Sequence, residues 1–142
     1  MRQNRFWLCV APVAICALDQ SLTLWFQHPE YWRGNYAFAN ESNPLFSWLL
    51  SRHPLAFEAG ILAWVSFFCM VLIHAPKRFA MAASIALIIG HTWGAATWLI
   101  ARVNHGYWLC IAIFFIADAT VVLTWEQQMR GEHVQRMPND EH

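Results

Sequence analysis

The chain has 142 residues, 58% hydrophobic and 13% charged, with nine basic and nine acidic residues and no net charge at pH 7. A soluble domain is about one quarter charged, whereas mean hydropathy here is +0.32 even with polar loops included, so a single integral membrane domain is expected. The basic residues are scattered, which argues against nucleic acid as a partner because phosphate binding needs a concentrated basic patch.

The first apolar stretch predicts a transmembrane helix over residues 6–26. Arg2 and Arg5 ahead of FWLCVAPVAICAL resemble the start of a signal peptide. No small-x-small cleavage site follows, and VAIC lacks the small residue that a lipoprotein site needs before its cysteine, so a retained helix is expected. Pro12 removes an N–H and frees the carbonyl four residues earlier. Cys9, Cys16, Gln20, Thr23 and Gln27, with Asp19 beside Gln20, fall on a seam spaced by three, four or seven. Such a seam faces protein, because polar groups in hydrocarbon are costly.

Residues 27–54 form the long outer loop, dense in aromatics (Tyr31, Trp32, Tyr36, Phe38) that prefer the membrane–water boundary. Asn43-Pro44 is a helix start, with an Asn cap and Pro at the first helical position. The following LFSWLLSRH predicts a short amphipathic outer helix, too brief to span. The second span, residues 55–73, is apolar except for Glu58 and meets the length of about 20 residues that a bilayer requires. The third, 79–101, carries small residues at Ala83, Ala86, Gly90, Gly94 and Thr97 or Ala101. Its Gly90 and Gly94 form a GxxxG that predicts close approach of a neighbouring helix, from this chain or another. The fourth, 107–125, contains Asp118 and leads into a polar tail, 126–142.

The fold class expected is therefore all-α, a four-helix transmembrane bundle. Arg2, Arg5, Lys77, Arg78, Arg130 and Arg136 flank one side of the membrane, and Arg33, Arg52 and Arg102 the other. The excess of basic residues on the first side puts both termini in the cytoplasm, and a bacterial inner membrane is the expected location. Trp7 and Trp125 mark the inner boundary; Trp25, Trp32, Tyr107 and Trp108 mark the outer one.

At 1.5 Å per helical residue, Asp19 lies about 10 Å below the outer boundary, Glu58 about 5 Å, and His91 and Asp118 about 15 Å each. A charge near the bilayer centre costs about 2.5–3.5 kcal/mol on the insertion scale, so such groups face a partner or a cavity. With Thr23, Ser66, Thr92 and Thr120 as helpers, they suggest an ion or proton site, or a metal site with mixed oxygen and nitrogen ligands. The structural alternative is interhelical bonding: an Asp118–His91 pair, Asp19 on backbone freed at a bend, and Glu58 snorkelling to the surface. A second set at the outer boundary, His28, Glu30, Glu41, His53, Glu58 and His105, has residue types that suit zinc, but its spacing matches no metal motif. A bis-histidine haem is disfavoured because His91 has no counterpart at matched depth, and no cofactor is assigned. Cys9, Cys16, Cys69 and Cys110 all lie in apolar stretches without a CxxC, which reads as buried thiols and disfavours a disulfide-forming enzyme. No GxSxG, HExxH or phosphate loop occurs.

Asp19 and Thr23, four residues apart in the first helix, followed by Glu41-Ser-Asn43-Pro44-Leu45 and His53-Pro54, resemble a family of small bacterial membrane proteins. These share an Asp-x3-Thr in helix one and Glu-x-Asn-Pro before helix two, over roughly the first half of this chain. The long aromatic loop departs from the compact loop of that pattern. The family carries no activity to transfer; it implies that Asp19, Thr23, Glu41 and Asn43 form one constellation at the outer mouth of the bundle. The small size, the GxxxG and the lack of catalytic motifs point first to a non-enzymatic accessory or scaffold subunit, in contact with the bilayer and with other subunits or copies of itself. The rival is an ion or proton transporter or a metal-dependent membrane enzyme built on Asp19, Glu58, His91 and Asp118.

Overall fold

A computed structural model describes residues 6–136, and among them there is no strand. Helix α1 spans Trp7–Trp25, a one-turn α2 spans Pro29–Trp32, α3 spans Pro44–Arg52, α4 Pro54–His74, α5 Lys77–Arg102 and α6 Gly106–Arg136. A short 3-10 turn, Tyr36–Phe38, lies between α2 and α3. Four helices, α1, α4, α5 and α6, are long and apolar enough to cross a membrane, which makes the chain an integral membrane protein. Much of their surface is apolar and uncovered, including Leu62, Phe67 and Met70 on α4 and Phe115 and Ile116 on α6. Trp7, Trp25, Tyr107 and Trp108 stand exposed at helix ends, where amphipathic rings meet headgroups.

Helix α6 is longer than the predicted span. Its 31 residues extend about 46 Å against a hydrocarbon core of about 30 Å, so its last turns run on beyond the bilayer. The backbone stays helical through 126–136, where the sequence is polar but contains a single glycine and no proline. Arg2 and Arg5, used in assigning orientation, and residues 137–142 of the tail lie outside the described residues.

Three clusters hold the bundle. Ala11 and Ile15 of α1 meet Ile88 of α5 and Ala117 and Val121 of α6 along a three-helix seam. Leu8 and Cys9 of α1, Leu72 of α4 and Ala80 of α5 close the end where α4 turns into α5. At the other end, α4 packs against the segments before it: its Phe57 and Ile61 meet Phe46 and Leu50 of α3, Tyr31 of α2 and Cys16 of α1. The outer loop is thus a folded cap. Its Tyr31 is fully buried and donates its hydroxyl to the Leu50 carbonyl at 3.2 Å. Burial pushes that phenol up to about 12.

Pro12 lies inside α1 without interrupting it. The carbonyl of Leu8, which loses its usual donor to the proline ring, accepts instead from Ser84 Oγ of α5 at 3.2 Å. Ser84 has no exposed surface. A hydroxyl from a neighbouring helix is the usual way a membrane helix satisfies a proline-freed carbonyl.

Candidate functional site

The clusters that tie α4 to α5 at one end and to α3 at the other leave a wedge between α4 and α5. It is a cavity of about 410 Å³, walled by α1, floored by α5 and roofed by the segment before α3. Asp19, Gln20 and Thr23 line it from α1, Glu41 from the cap, and His91 from α5.

Asp19 is only 8% exposed. Its Oδ2 lies 2.9 Å from His91 Nδ1. A carboxylate only accepts, so the imidazole proton resides on Nδ1 and His91 donates. The pair joins α1 to α5, and its site on α5 is shaped by glycine. A Cβ at Gly94 would stand 2.6 Å from Asp19 Oδ1 and 2.7 Å from Oδ2. Gly94 therefore makes room for a carboxylate rather than for a helix backbone. Gly90 has nothing within 4 Å of its Cβ position and lines the cavity. Ala86, Gly90, Gly94 and Thr97 all line the cavity, and within this chain the neighbour that the GxxxG spacing admits at Gly94 is the Asp19 side chain of α1.

Nearer the mouth, Trp98 Nε1 donates to Thr23 Oγ1 at 3.1 Å, and Thr23 Oγ1 donates to Glu41 Oε2 at 3.5 Å. The Asn43 backbone N–H donates to Glu41 Oε1 at 2.7 Å. Asn43 in turn caps α3, its Oδ1 accepting from Leu45 N at 3.0 Å and Phe46 N at 3.3 Å. Gln27 clamps the cap to α1: its Nε2 donates to the Thr23 and Asn40 carbonyls at 2.8 and 2.7 Å, and its Oε1 accepts from Asn40 N at 2.8 Å. Burial raises the Glu41 carboxyl above its ordinary value of 4.5, opposed by the Asn43 N–H and reinforced by the charge of Asp19. Thr23, Glu41 and Asn43 are thus joined, with Asp19 one turn deeper on the same wall.

Other sequence candidates lie elsewhere. His91 pairs with Asp19, so the Asp118–His91 pair does not form. Asp118 is half-buried on α6, and its Oδ1 is buried without a hydrogen-bond partner. Depth alone matched these two residues; helix facing separates them. Glu58 is exposed on α4 and does not line the cavity. The outer histidines serve local structure: His28 accepts from Glu30 N and stacks on Phe38, and His53 caps α4 by accepting from Leu55 N. His105 sits in a left-handed turn at φ 62°. Among the described residues no three His, Cys, Asp or Glu side chains gather to hold a metal.

Gln27, Trp64, Ser84 and Trp98 were not singled out as site or support residues from sequence. Gln27 stood on the polar seam, but nothing local tells a clamp from a helix-end glutamine. The Gln20 Oε1 and Trp64 Nε1 atoms, both on cavity-lining residues, are buried without partners. No family model, no curated protein and no solved structure matches the chain.

Proposed function

We propose that this chain is a solute-binding membrane protein of the transporter class, taking a small polar solute into the cavity between α1, α4 and α5. The observation that carries this reading is the joining of Asp19, Gln20, Thr23, Glu41 and His91 in one space of about 410 Å³. Natural small-molecule sites have volumes of about 300–1,000 Å³, mostly apolar walls and a few convergent polar groups. An ionisable pair kept within the membrane region is costly unless it serves a partner or a pathway. With both termini cytoplasmic in a bacterial inner membrane, the mouth at Glu41 and Asn43 faces outward, and the Leu8–Leu72–Ala80 cluster closes the inner half. Uptake into proteoliposomes of a mixed set of small labelled solutes, compared between the parent and Asp19→Asn, tests this. Asp19-dependent uptake or saturable retention of a solute supports it; identical, non-saturable behaviour of both proteins overturns it.

A second reading, an accessory subunit of a larger complex, is favoured by Glu58. This carboxylate stands on the exposed side of α4 beside Leu55 and Leu62, where a partner helix would supply the missing donor. Crosslinking from α4 in native membranes tests it: a defined crosslinked species that Glu58→Gln abolishes supports a subunit role.

A further inference from the structure

The cavity's lining holds more acid than base, two carboxylates against the imidazole of His91. Asp19 and Glu41 contribute carboxylates at two levels, while no Lys or Arg lines it. His91 is held to Asp19 through its Nδ1 at 2.9 Å. Gln20 adds an amide oxygen that has no partner. The remaining wall is aromatic: Trp64, Trp93, Trp98 and Phe46. Trp98 is held in place by its bond to Thr23 and by stacking on Phe26 at 6.0 Å between ring centroids.

We infer that the occupant is a small organic cation carrying an ammonium group, held between the Asp19 carboxylate and the tryptophan faces. This rests on the solute-binding reading above. Three features select the class. Two carboxylates facing the single imidazole of His91 leave an acidic excess that favours positive charge, most strongly where water is scarce. Indole faces attract a weakly hydrated cation through the ring quadrupole, tryptophan best of all. Size then decides between a bare ion and an organic one. An inorganic cation needs several oxygens closing on it at about 2.0–2.6 Å, whereas among the described residues no three His, Cys, Asp or Glu side chains gather to hold one and the space is about 410 Å³. Ammonium-bearing molecules fill such a volume and offer N–H or N–CH3 groups to every acceptor on the wall.

The same ammonium can come from two sources. One is a soluble amine entering by the mouth beside Ser42 and Asn43, which are exposed. The other is the headgroup of an aminophospholipid sliding in past Gly90 and Trp93, which are exposed on the open side of α5.

The test uses the full chain in nanodiscs of phosphatidylglycerol, which has no ammonium, titrated with tetramethylammonium and with benzylamine. Tert-butanol and benzyl alcohol serve as neutral counterparts. Calorimetry and tryptophan fluorescence read binding. Saturable binding of the cations, at least tenfold tighter than of the neutral pair, is expected. Asp19→Asn keeps an acceptor for His91 and should weaken cation binding at least tenfold; Glu41→Gln should weaken it less, and Glu58→Gln not at all. Adding phosphatidylethanolamine to the nanodiscs separates the sources: competition assigns the lipid headgroup, and unchanged affinity assigns the soluble amine. Equal or tighter binding of the neutral compounds overturns the cation assignment and leaves the solute-binding reading standing. Absence of binding by every compound, in folded protein, overturns both.

Discussion

The two glycines of the GxxxG should respond to the same substitution with opposite sign. In an open helix position, Gly→Ala stabilises by about 0.5–1 kcal/mol, because alanine leaves the unfolded chain less conformational freedom to lose. Gly90→Ala meets this condition, since nothing lies within 4 Å of the added methyl. At Gly94 the methyl would stand 2.6 Å from Asp19 Oδ1 and 2.9 Å from Cγ. An ordinary contact begins near 3.4 Å, so the carboxylate must retreat by several tenths of an ångström. Asp19 is short, 8% exposed and tied to His91 at 2.9 Å, so it cannot retreat without stretching that bond. A hydrogen bond to a charged group is worth about 1.5–3 kcal/mol. Subtracting the helix gain leaves Gly94→Ala about 1–2 kcal/mol less stable than the parent. Thermal or denaturant unfolding in mild detergent reads the difference between the two variants. If both destabilise alike, the glycines serve a helix–helix interface as the spacing first suggests. If both stabilise alike, the carboxylate is not seated on α5.

Three further perturbations test other parts of the structure. Ser84→Ala should cost about 1–3 kcal/mol by leaving the Leu8 carbonyl unpaired in a buried site. Adding Pro12→Ala should recover most of that loss, because alanine restores the N–H the carbonyl lacks; unfolding of both single variants and the double variant checks the coupling. Glu41 has a folded value raised above its ordinary 4.5, so its contribution to stability is full below 4.5 and is lost as pH rises through the higher folded value. Glu41→Gln should flatten this pH dependence in unfolding scans started at acidic pH, and a parent whose stability instead rises across that window would contradict the burial of Glu41. Phe57→Ala should cost about 3–5 kcal/mol, since Phe57 is fully buried and packs edge-on to Phe46 at 6.0 Å. Limited proteolysis should then cut within residues 27–53 before any transmembrane helix, and an uncut cap would mean that α3 is anchored elsewhere.

Hydropathy and punctuation carried the architecture. Four apolar runs, the Asn43-Pro44 start and the short α3 were legible because length, caps and proline act locally. The polar seam on the first helix pointed at the right wall, since Asp19, Gln20 and Thr23 all line the cavity. What the sequence left open was rotation. Depth placed His91 level with Asp118, but the facing of α5 turns His91 to α1 and α6 presents Asp118 elsewhere. GxxxG has one spacing and two uses, and only the neighbour reveals whether the space receives a backbone or a carboxylate. Ser84 and Gln27 were equally opaque, because their partners, Leu8 and Asn40, are fixed by tertiary packing. The outer histidines had suitable metal chemistry, yet capping and stacking employ two of them.

Cysteine labelling at position 90 puts the central question most directly: does the floor of the wedge face a solvated, negatively charged space? In protein whose four native cysteines are replaced, Gly90→Cys should react from the outer side with a permeant-excluded cationic thiol reagent, at least tenfold faster than with its anionic counterpart of similar size. Asp19→Asn should narrow that preference, and tetramethylammonium should slow the cationic reaction. Modification by membrane-soluble maleimides alone, with both charged reagents inert, would show a groove filled by acyl chains and contradict a polar binding cavity.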